Sequence, residues 1–260
     1  MQSFKGQTAL ITGASSGIGV SFARQLAGHG VHLILVARRE DRLNALAAEL
    51  AGDHGITVRV FAQDLSVDGA AQALYSRIKE EGLQVDLLLN NAGLGKHGEF
   101  LELAMDTHTS MMHLNIDALT ELTWLFGRDM VARRSGNILL VSSIAGFVPV
   151  PLFSTYAASK AFVLNFGRAL HKEWKPHNVN VTVLCPGGTL TEFMDVSGQK
   201  IDGIRSLAMM SSDSVASAGL QALQRRKAVV VPGWLYKVSM ASLRLIPGRA
   251  QTAVGEMATR

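Results

Sequence analysis

The sequence predicts an α/β fold: a parallel sheet of about seven strands, wound with helices on both faces. Two observations carry this. Short apolar runs alternate along the chain with longer stretches of helical period, and repeated strand–helix–strand order builds a doubly wound sheet. The runs are also apolar at consecutive positions rather than at every second one, as expected of strands covered on both sides. Strands are predicted at Thr8–Thr12, His32–Ala37, Thr57–Ala62, Leu87–Leu89, Asn137–Ser142, Asn180–Leu184 and Val229–Val231. Helices are predicted at Gly17–Gly28, Glu40–Ala51, Ala70–Glu81, Met105–Arg133, Tyr156–Trp174 and Ser214–Leu223. No linker rich in Pro, Gly or Ser divides the chain, and no repeat is present, so residues 1–260 read as one Rossmann-like domain.

Composition narrows the class. The hydrophobic share of 48% against 18% charged predicts a large core and excludes a disordered chain. The net charge is +4 and the pI is near 9.4. The basic residues are scattered, and the dense groups (Arg38-Arg39, Arg133-Arg134, Arg225-Arg226-Lys227) are not interleaved with aromatics, so no nucleic-acid partner is expected. A single cysteine, Cys185, excludes a disulfide framework and a Cys-rich zinc site, and fits a reducing, cytoplasmic compartment. The eight histidines show no ligand spacing with carboxylates, so no metal is expected. The polar stretch Met1–Gln7 does not read as a signal peptide. The long, nearly uncharged stretch Asn137–Val163 contains Gly146, Pro149 and Pro151, which makes it a poor membrane helix.

The first chemical motif is Thr12-Gly13-Ala14-Ser15-Ser16-Gly17-Ile18-Gly19, which follows the first strand and opens the first helix. Glycines let the backbone turn tightly and approach a pyrophosphate, and the helix N-terminus offers unpaired N–H groups and a positive dipole end. Gly13, Ser15, Gly17 and Ile18 are therefore candidate cofactor contacts. A plain βα turn would use glycine too, and the strand-before, helix-after context favours the nucleotide reading. The second strand ends at Ala37-Arg38-Arg39. A site selecting NAD carries an acidic residue there for the ribose hydroxyls, whereas guanidinium groups suit a 2′-phosphate. Arg38 and Arg39 thus point to NADP(H).

Further motifs follow in order: Asp64-Leu65, Asn90-Asn91-Ala92-Gly93, Asn115, Ser142-Ser143, Tyr156-Ala157-Ala158-Ser159-Lys160 and Pro186-Gly187. With Thr12–Gly19, their order and spacing resemble the short-chain dehydrogenase/reductase family from about Gly6 to Phe193, within a poorly characterised group that has a late Val-Val-Val-Pro-Gly. The resemblance implies a nicotinamide-dependent oxidoreductase. Its catalytic residues would be Asn115, Ser143, Tyr156 and Lys160. Tyr156 would pass a proton to or from the substrate oxygen, and Ser143 would bind that oxygen. Lys160 would hold the nicotinamide ribose, and Asn115 would support a water in the proton relay. Tyr156 and Lys160 stand one helical turn apart, on one face, where an ammonium beside a phenol is expected to lower the phenol pKa.

By the same resemblance, Asp64 and Leu65 contact adenine, Asn91 borders the adenosine ribose, and Thr189 and Thr191 lie beside the nicotinamide. Tyr156 and Lys160 also count as cofactor contacts. Residues 1–135 would form mainly the cofactor half, 136–212 the catalytic and substrate half, and 232–260 a C-terminal extension. The expected function is hydride transfer between NADP(H) and a ketone or secondary alcohol, with an apolar or acyl-like substrate suggested by Phe193, Met194, Ile201, Ile204, Leu207, Met209 and Met210. His97 and Phe153 are further pocket candidates. The alternative is a non-catalytic, dinucleotide-sensing binding protein on the same fold. The resemblance also implies a homodimer or homotetramer, with Trp124, Phe126, Phe162 and Phe166 as contact candidates. The segment Trp234–Ile246 is apolar on nearly every side. Core packing is its default role; a membrane surface, a partner subunit and the substrate mouth are the other readings.

Overall fold

The computed structural model describes residues 4–198 and 209–242, together with 252, 255 and 256. Seven parallel strands form one sheet: β1 (Thr8–Thr12), β2 (His32–Ala37), β3 (Val58–Ala62), β4 (Leu87–Asn90), β5 (Gly136–Val141), β6 (Val179–Leu184) and, after a separate two-stranded pair, β9 (Val229–Val230). The pair consists of β7 (Thr189–Leu190) and β8 (Met210–Ser211), which the apolar pattern does not announce. The helices are α1 (Gly17–Ala27), α2 (Glu40–His54), α3 (Ala70–Glu80), α4 (Met105–Met112), α5 (Leu119–Ala132), α6 (Ser154–Glu173), α7 (Phe193–Ser197), α8 (Ser212–Gln224) and α9 (Trp234–Ser242).

Alternate residues of each strand point to opposite faces. Leu33, Leu35, Leu87, Leu89, Leu139 and Leu184 join one core with Phe22 and Leu26 of α1, Leu43 of α2 and Leu220 of α8. Ile34, Leu88, Ile138, Leu140 and Val181 join the other, with Leu74 of α3, Leu122 and Phe126 of α5 and Val163 of α6. A strand filled on both sides has no polar face, which is why its apolar residues run consecutively. The edge strand β3 is the exception: exposed positions interrupt it.

The strand order is β3-β2-β1-β4-β5-β6-β9. The chain winds outward from β1 through β2 to β3, then returns to pair β4 with the other side of β1. At this reversal the connections leave β1 and β4 in opposite directions, and a crevice opens beyond the carboxyl ends of the two strands.

Two expectations are corrected here. The predicted helix Met105–Arg133 is interrupted by a π-helical segment, His113–Ala118, between α4 and α5. Phe126 is buried at 3% exposure, edge-on to Tyr75 at a centroid distance of 5.1 Å, so it belongs to the core and not to a subunit contact. Trp124, two residues earlier on the opposite face, is 59% exposed, and Phe162 on α6 is partly exposed and stacked on Phe166. Among the described residues, no helix is long and apolar enough to cross a membrane and no His, Cys, Asp and Glu cluster could hold a metal.

Candidate active site

The crevice is floored by the loop joining β1 to α1. Gly13 sits at φ +67°, a conformation that side chains disfavour, and a Cβ there would lie 2.9 Å from Ala92 Cα. A Cβ on Gly19 would come to 2.2 Å from the Gly13 carbonyl oxygen, so α1 can start this close to the loop only with glycine. The first turn of α1 has no side-chain cap and no acidic residue, leaving its N–H groups and dipole uncompensated beside Gly17 and Ile18, which line the crevice. Opposite, Thr12 Oγ1 accepts from the Asn91 and Ala92 amides at 3.0 and 2.9 Å, and Asn91 Nδ2 donates to the Thr12 carbonyl at 2.9 Å. These bonds tie the β4 loop to the β1 loop. Asn91 thus has a definite structural duty, and Thr12 is its partner.

One end of the crevice is charged and open. Arg38, Arg39, Gln63, Asp64 and Leu65 line it. Asp64 Oδ1 accepts from the Ser66 amide at 2.9 Å and hydroxyl at 2.7 Å. Burial pushes its carboxyl up, but the two Ser66 bonds and the nearby Arg38 win, and the group ends below the usual carboxylate range. Asp64 does not cap α3, whose N-cap position is Gly69. Arg39 reaches Ser15 Oγ at 3.2 Å and pairs with Glu192 at 2.8 Å.

The other end is more deeply buried, with Asn115 and Lys160 enclosed and Ser143 and Tyr156 half-buried at the cleft wall. Asn115 lies in the π-helical segment with 0% exposure. Its side chain points to the loop after β4. Its Oδ1 accepts from the Leu94 amide at 2.9 Å, and its Nδ2 donates to the Leu94 carbonyl at 2.8 Å and to Ser159 Oγ at 3.0 Å. The side chain therefore pins the loop after β4 to α6. Ser143, at the end of β5, accepts from the Ala145 amide and faces the crevice together with Tyr156 and Lys160. Lys160 is 3% exposed, and its Nζ donates to the Val141 carbonyl at 3.0 Å.

Burial pushes the Tyr156 phenol up to about 12, and the Ser143 hydroxyl beside it pulls only part of the way back. Burial also pushes the Lys160 ammonium down to about 8. The sequence expectation of a phenol lowered by its lysine is reversed by burial. The ammonium is aimed at a strand carbonyl and stands 5.7 Å from the phenol ring centroid, so desolvation outweighs attraction.

Thr189 is buried and donates to the Gly187 carbonyl at 3.0 Å, and both Thr189 and Thr191 line the cleft. The wall near Tyr156 is apolar: Val148, Val150, Phe153, Phe193, Met194 and Met209. Phe193 lies 5.4 Å from Tyr156, ring to ring. His97 packs behind Phe153 at 5.3 Å and is not part of the wall, while Met210 packs on the core. Ile201, Ile204 and Leu207 lie outside the described residues, as do residues 243–246 of the predicted C-terminal helix.

Of the readings open for the segment after Gly233, the described part of α9 supports the substrate mouth over core packing. Its Tyr236 and Met240 line the cleft, and the Tyr236 hydroxyl accepts from the Gly188 amide at 3.2 Å. Trp234, Leu235 and Val238 on its outer side are exposed. A helix apolar all round gives no sequence signal for which side faces inward. The cleft measures about 680 Å³ and is continuous from the arginines to the tyrosine. Such a groove, with cations and helix N–H groups at one end and a phenol–lysine pair at the other, fits a dinucleotide laid across the carboxyl ends of β1 and β4.

Comparison with known proteins agrees. The family model for short chain dehydrogenase matches residues 7–202. The chain is 38% identical over 186 residues to 17-beta-hydroxysteroid dehydrogenase type 3 of Homo sapiens, covering 70% of this chain and 58% of that one. It is 40% identical over 184 residues to very-long-chain 3-oxoacyl-CoA reductase of Pyrenophora tritici-repentis, covering 68% and 53%. The chain thus spans little more than half the length of these two relatives. A short-chain dehydrogenase from Sphingobium yanoikuyae in complex with NADPH superposes with a TM-score of 0.83 at 34% identity, covering 92% of each chain. One from Burkholderia phymatum in complex with NAD gives 0.82 at 25% identity, covering 93% and 94%.

Proposed function

The chain belongs to the short-chain dehydrogenase family, an enzymatic oxidoreductase on a nicotinamide dinucleotide, and from that premise we propose that it is an NADP(H)-dependent carbonyl reductase or alcohol dehydrogenase for a bulky, apolar ketone or the matching secondary alcohol. One observation carries the reading: Ser143, Tyr156 and Lys160 meet at the apolar end of a continuous cleft whose far end presents Arg38 and Arg39. When bound, the dinucleotide supplies or accepts the hydride.

The protein's own residues do the rest. In the direction of reduction, the Ser143 hydroxyl donates to the substrate oxygen and stabilises the charge that builds there. The Tyr156 hydroxyl, protonated at neutral pH in this environment, delivers its proton to the same oxygen. Lys160 holds the nicotinamide ribose and replenishes the tyrosine proton. Asn115 positions the β4 loop through Leu94 and supports the relay to Lys160. Gly13, Ser15, Gly17 and Ile18 take the pyrophosphate. Asp64, Leu65 and Asn91 take the adenosine, and Thr189 and Thr191 the nicotinamide side. The apolar lining from Val148, Val150, Phe153, Met194, Met209 and Met240 supports a hydrophobic substrate body, and the steroid and 3-oxoacyl-CoA names of the relatives are consistent with one.

Exposed Trp124 and Phe162 support a homodimer or homotetramer formed through α5 and α6, which sedimentation of the purified chain tests. The function is tested by NADPH oxidation with a panel of small ketones, bulky apolar ketones and 3-oxoacyl thioesters. Turnover is expected with the bulky members. Tight NADPH binding without oxidation across the whole panel would show a binding protein instead.

A further inference from the structure

Glu192 follows the nicotinamide-side loop, yet its carboxylate lies at the opposite end of the cleft. Its Oε2 accepts from Arg39 Nη1 at 2.8 Å and its Oε1 from Arg42 Nη1 at 2.6 Å. The two partners stand at the start of α2, and the bridge joins residues far apart in sequence across the mouth of the crevice. Arg39 also lies on Ser15 of the phosphate loop. The neighbouring Arg38 faces Asp64 at 3.8 Å, so the Arg39–Arg42 pair has an acidic partner of its own. Two guanidinium groups converging on one carboxylate make the arrangement that also suits a phosphate dianion.

The residues on either side of Glu192 touch the rest of the cleft. Thr191 Cγ2 lies 2.9 Å from where a Gly17 Cβ would stand, so Thr191 packs directly on the phosphate loop. Phe193 packs its ring on Tyr156. Three consecutive residues therefore contact the phosphate loop, the basic pair and the proton-donating tyrosine.

We infer that Glu192 is an internal counter-anion that occupies the basic pair in the cofactor-free protein and competes with the 2′-phosphate of the incoming dinucleotide. The inference rests on the NADP(H) reading above. A 2′-phosphate must displace the Glu192 carboxylate or share the arginines with it at a repulsive distance, whereas a ribose with a bare 2′-hydroxyl meets no such conflict. Glu192 thus lowers the discrimination that Arg39 would otherwise give.

The test isolates the adenosine end with 2′,5′-ADP and 5′-AMP and then uses whole NADPH and NADH. Dissociation constants are measured by calorimetry for the wild type, Glu192→Gln, Arg39→Ala/Arg42→Ala and the triple variant. Glu192→Gln should raise the preference for the 2′-phosphorylated ligand about three- to tenfold, because the exposed bridge is partly screened. With both arginines removed, the same substitution should change the preference by less than about 1.5-fold. A Glu192→Gln preference that stays fixed or falls overturns the inference, a fall meaning that the carboxylate holds the arginines ready for phosphate. Equal affinity of the wild type for NADPH and NADH, unchanged by removing the arginines, overturns the NADP(H) reading and this inference with it. Wild-type preference for NADPH with no response to Glu192→Gln rejects the counter-anion alone.

Discussion

The two ends of the cleft are built on opposite principles. At the arginine end the charged side chains are about half exposed: 64% for Arg38, 40% for Arg39 and 44% for Glu192. At the tyrosine end Asn115 is 0% and Lys160 3% exposed, and their side-chain polar atoms are tied to backbone carbonyls, an amide and a hydroxyl. In the open end a charge is cushioned by water and salt, so each contact is worth a fraction of a kcal/mol to about 1. In the buried end desolvation dominates, and single groups are displaced by amounts that alter chemistry and stability. The open end is thus suited to graded choice between similar cofactors, and the buried end to fixing one proton on one atom.

The largest effect belongs at the buried end. Tyr156→Phe removes only the proton-bearing oxygen and leaves the ring on Phe153 and Phe193. Turnover should fall about 10³-fold while NADPH affinity moves less than about threefold, read by steady-state kinetics and fluorescence titration. Retained turnover would place the proton donor elsewhere and break the contrast.

Lys160→Met should separate function from stability. In the wild type burial pushes the folded lysine down to about 8 from an ordinary 10.5, so the folded state binds the proton less well than the unfolded chain. The penalty is fully present below pH 8, where both states are protonated, and fades as pH rises toward 10.5. Its size is on the order of 3 kcal/mol, less whatever the bond to the Val141 carbonyl returns. Methionine should therefore raise denaturation stability at pH 7, with the gain shrinking in alkali, while activity is lost. A variant less stable than the wild type at every pH would mean that the ammonium is a net stabiliser of the fold.

The contrast also explains how much could be read from the chain itself. The sheet was legible because a strand buried on both faces must be apolar without interruption, as in Leu87–Leu89 and Ile138–Leu140. The pairing of Tyr156 with Lys160 was legible from one helical turn, whereas the placing of Ser143 beside them came from the family resemblance. The direction of the Tyr156 shift was not legible, since a spacing shows the neighbouring charge and hides the burial. The π segment around Asn115 was hidden because one extra residue in a turn leaves an apolar pattern almost unchanged. Glu192 carried no local signal at all: its partners are in the first quarter of the chain. Trp124 and Phe126 look alike as letters, and only their opposite faces on α5 make one exposed and the other core.

Asn115→Ala is the intermediate case. It would strip both Leu94 backbone groups and Ser159 of a partner at a site closed to bulk water. A loss of about 2 kcal/mol is expected, lowering Tm on the order of 5 °C. Turnover should fall further than NADPH affinity, because the loop after β4 supports the catalytic end. A Tm within a degree of wild type would mean that water fills the gap and that this end is wetter than its exposure suggests.

The smallest effect should come from the open end, and salt is the tool that exposes it. Replacing Arg38 and Arg39 together by alanine should reduce the preference for NADPH over NADH by about tenfold at low ionic strength. Because both guanidinium groups are solvated, raising salt from about 0.05 to about 0.5 M should erode the wild-type preference in the same direction and leave the double variant nearly flat. The Tyr156→Phe defect should respond far less to the same change, since the phenol carries no charge and its neighbouring ammonium, Lys160, is buried. A cofactor preference as insensitive to salt as the tyrosine defect would mean that the arginines act by shape or by buried contact, and the division of the cleft into a screened end and an unscreened end would then be lost.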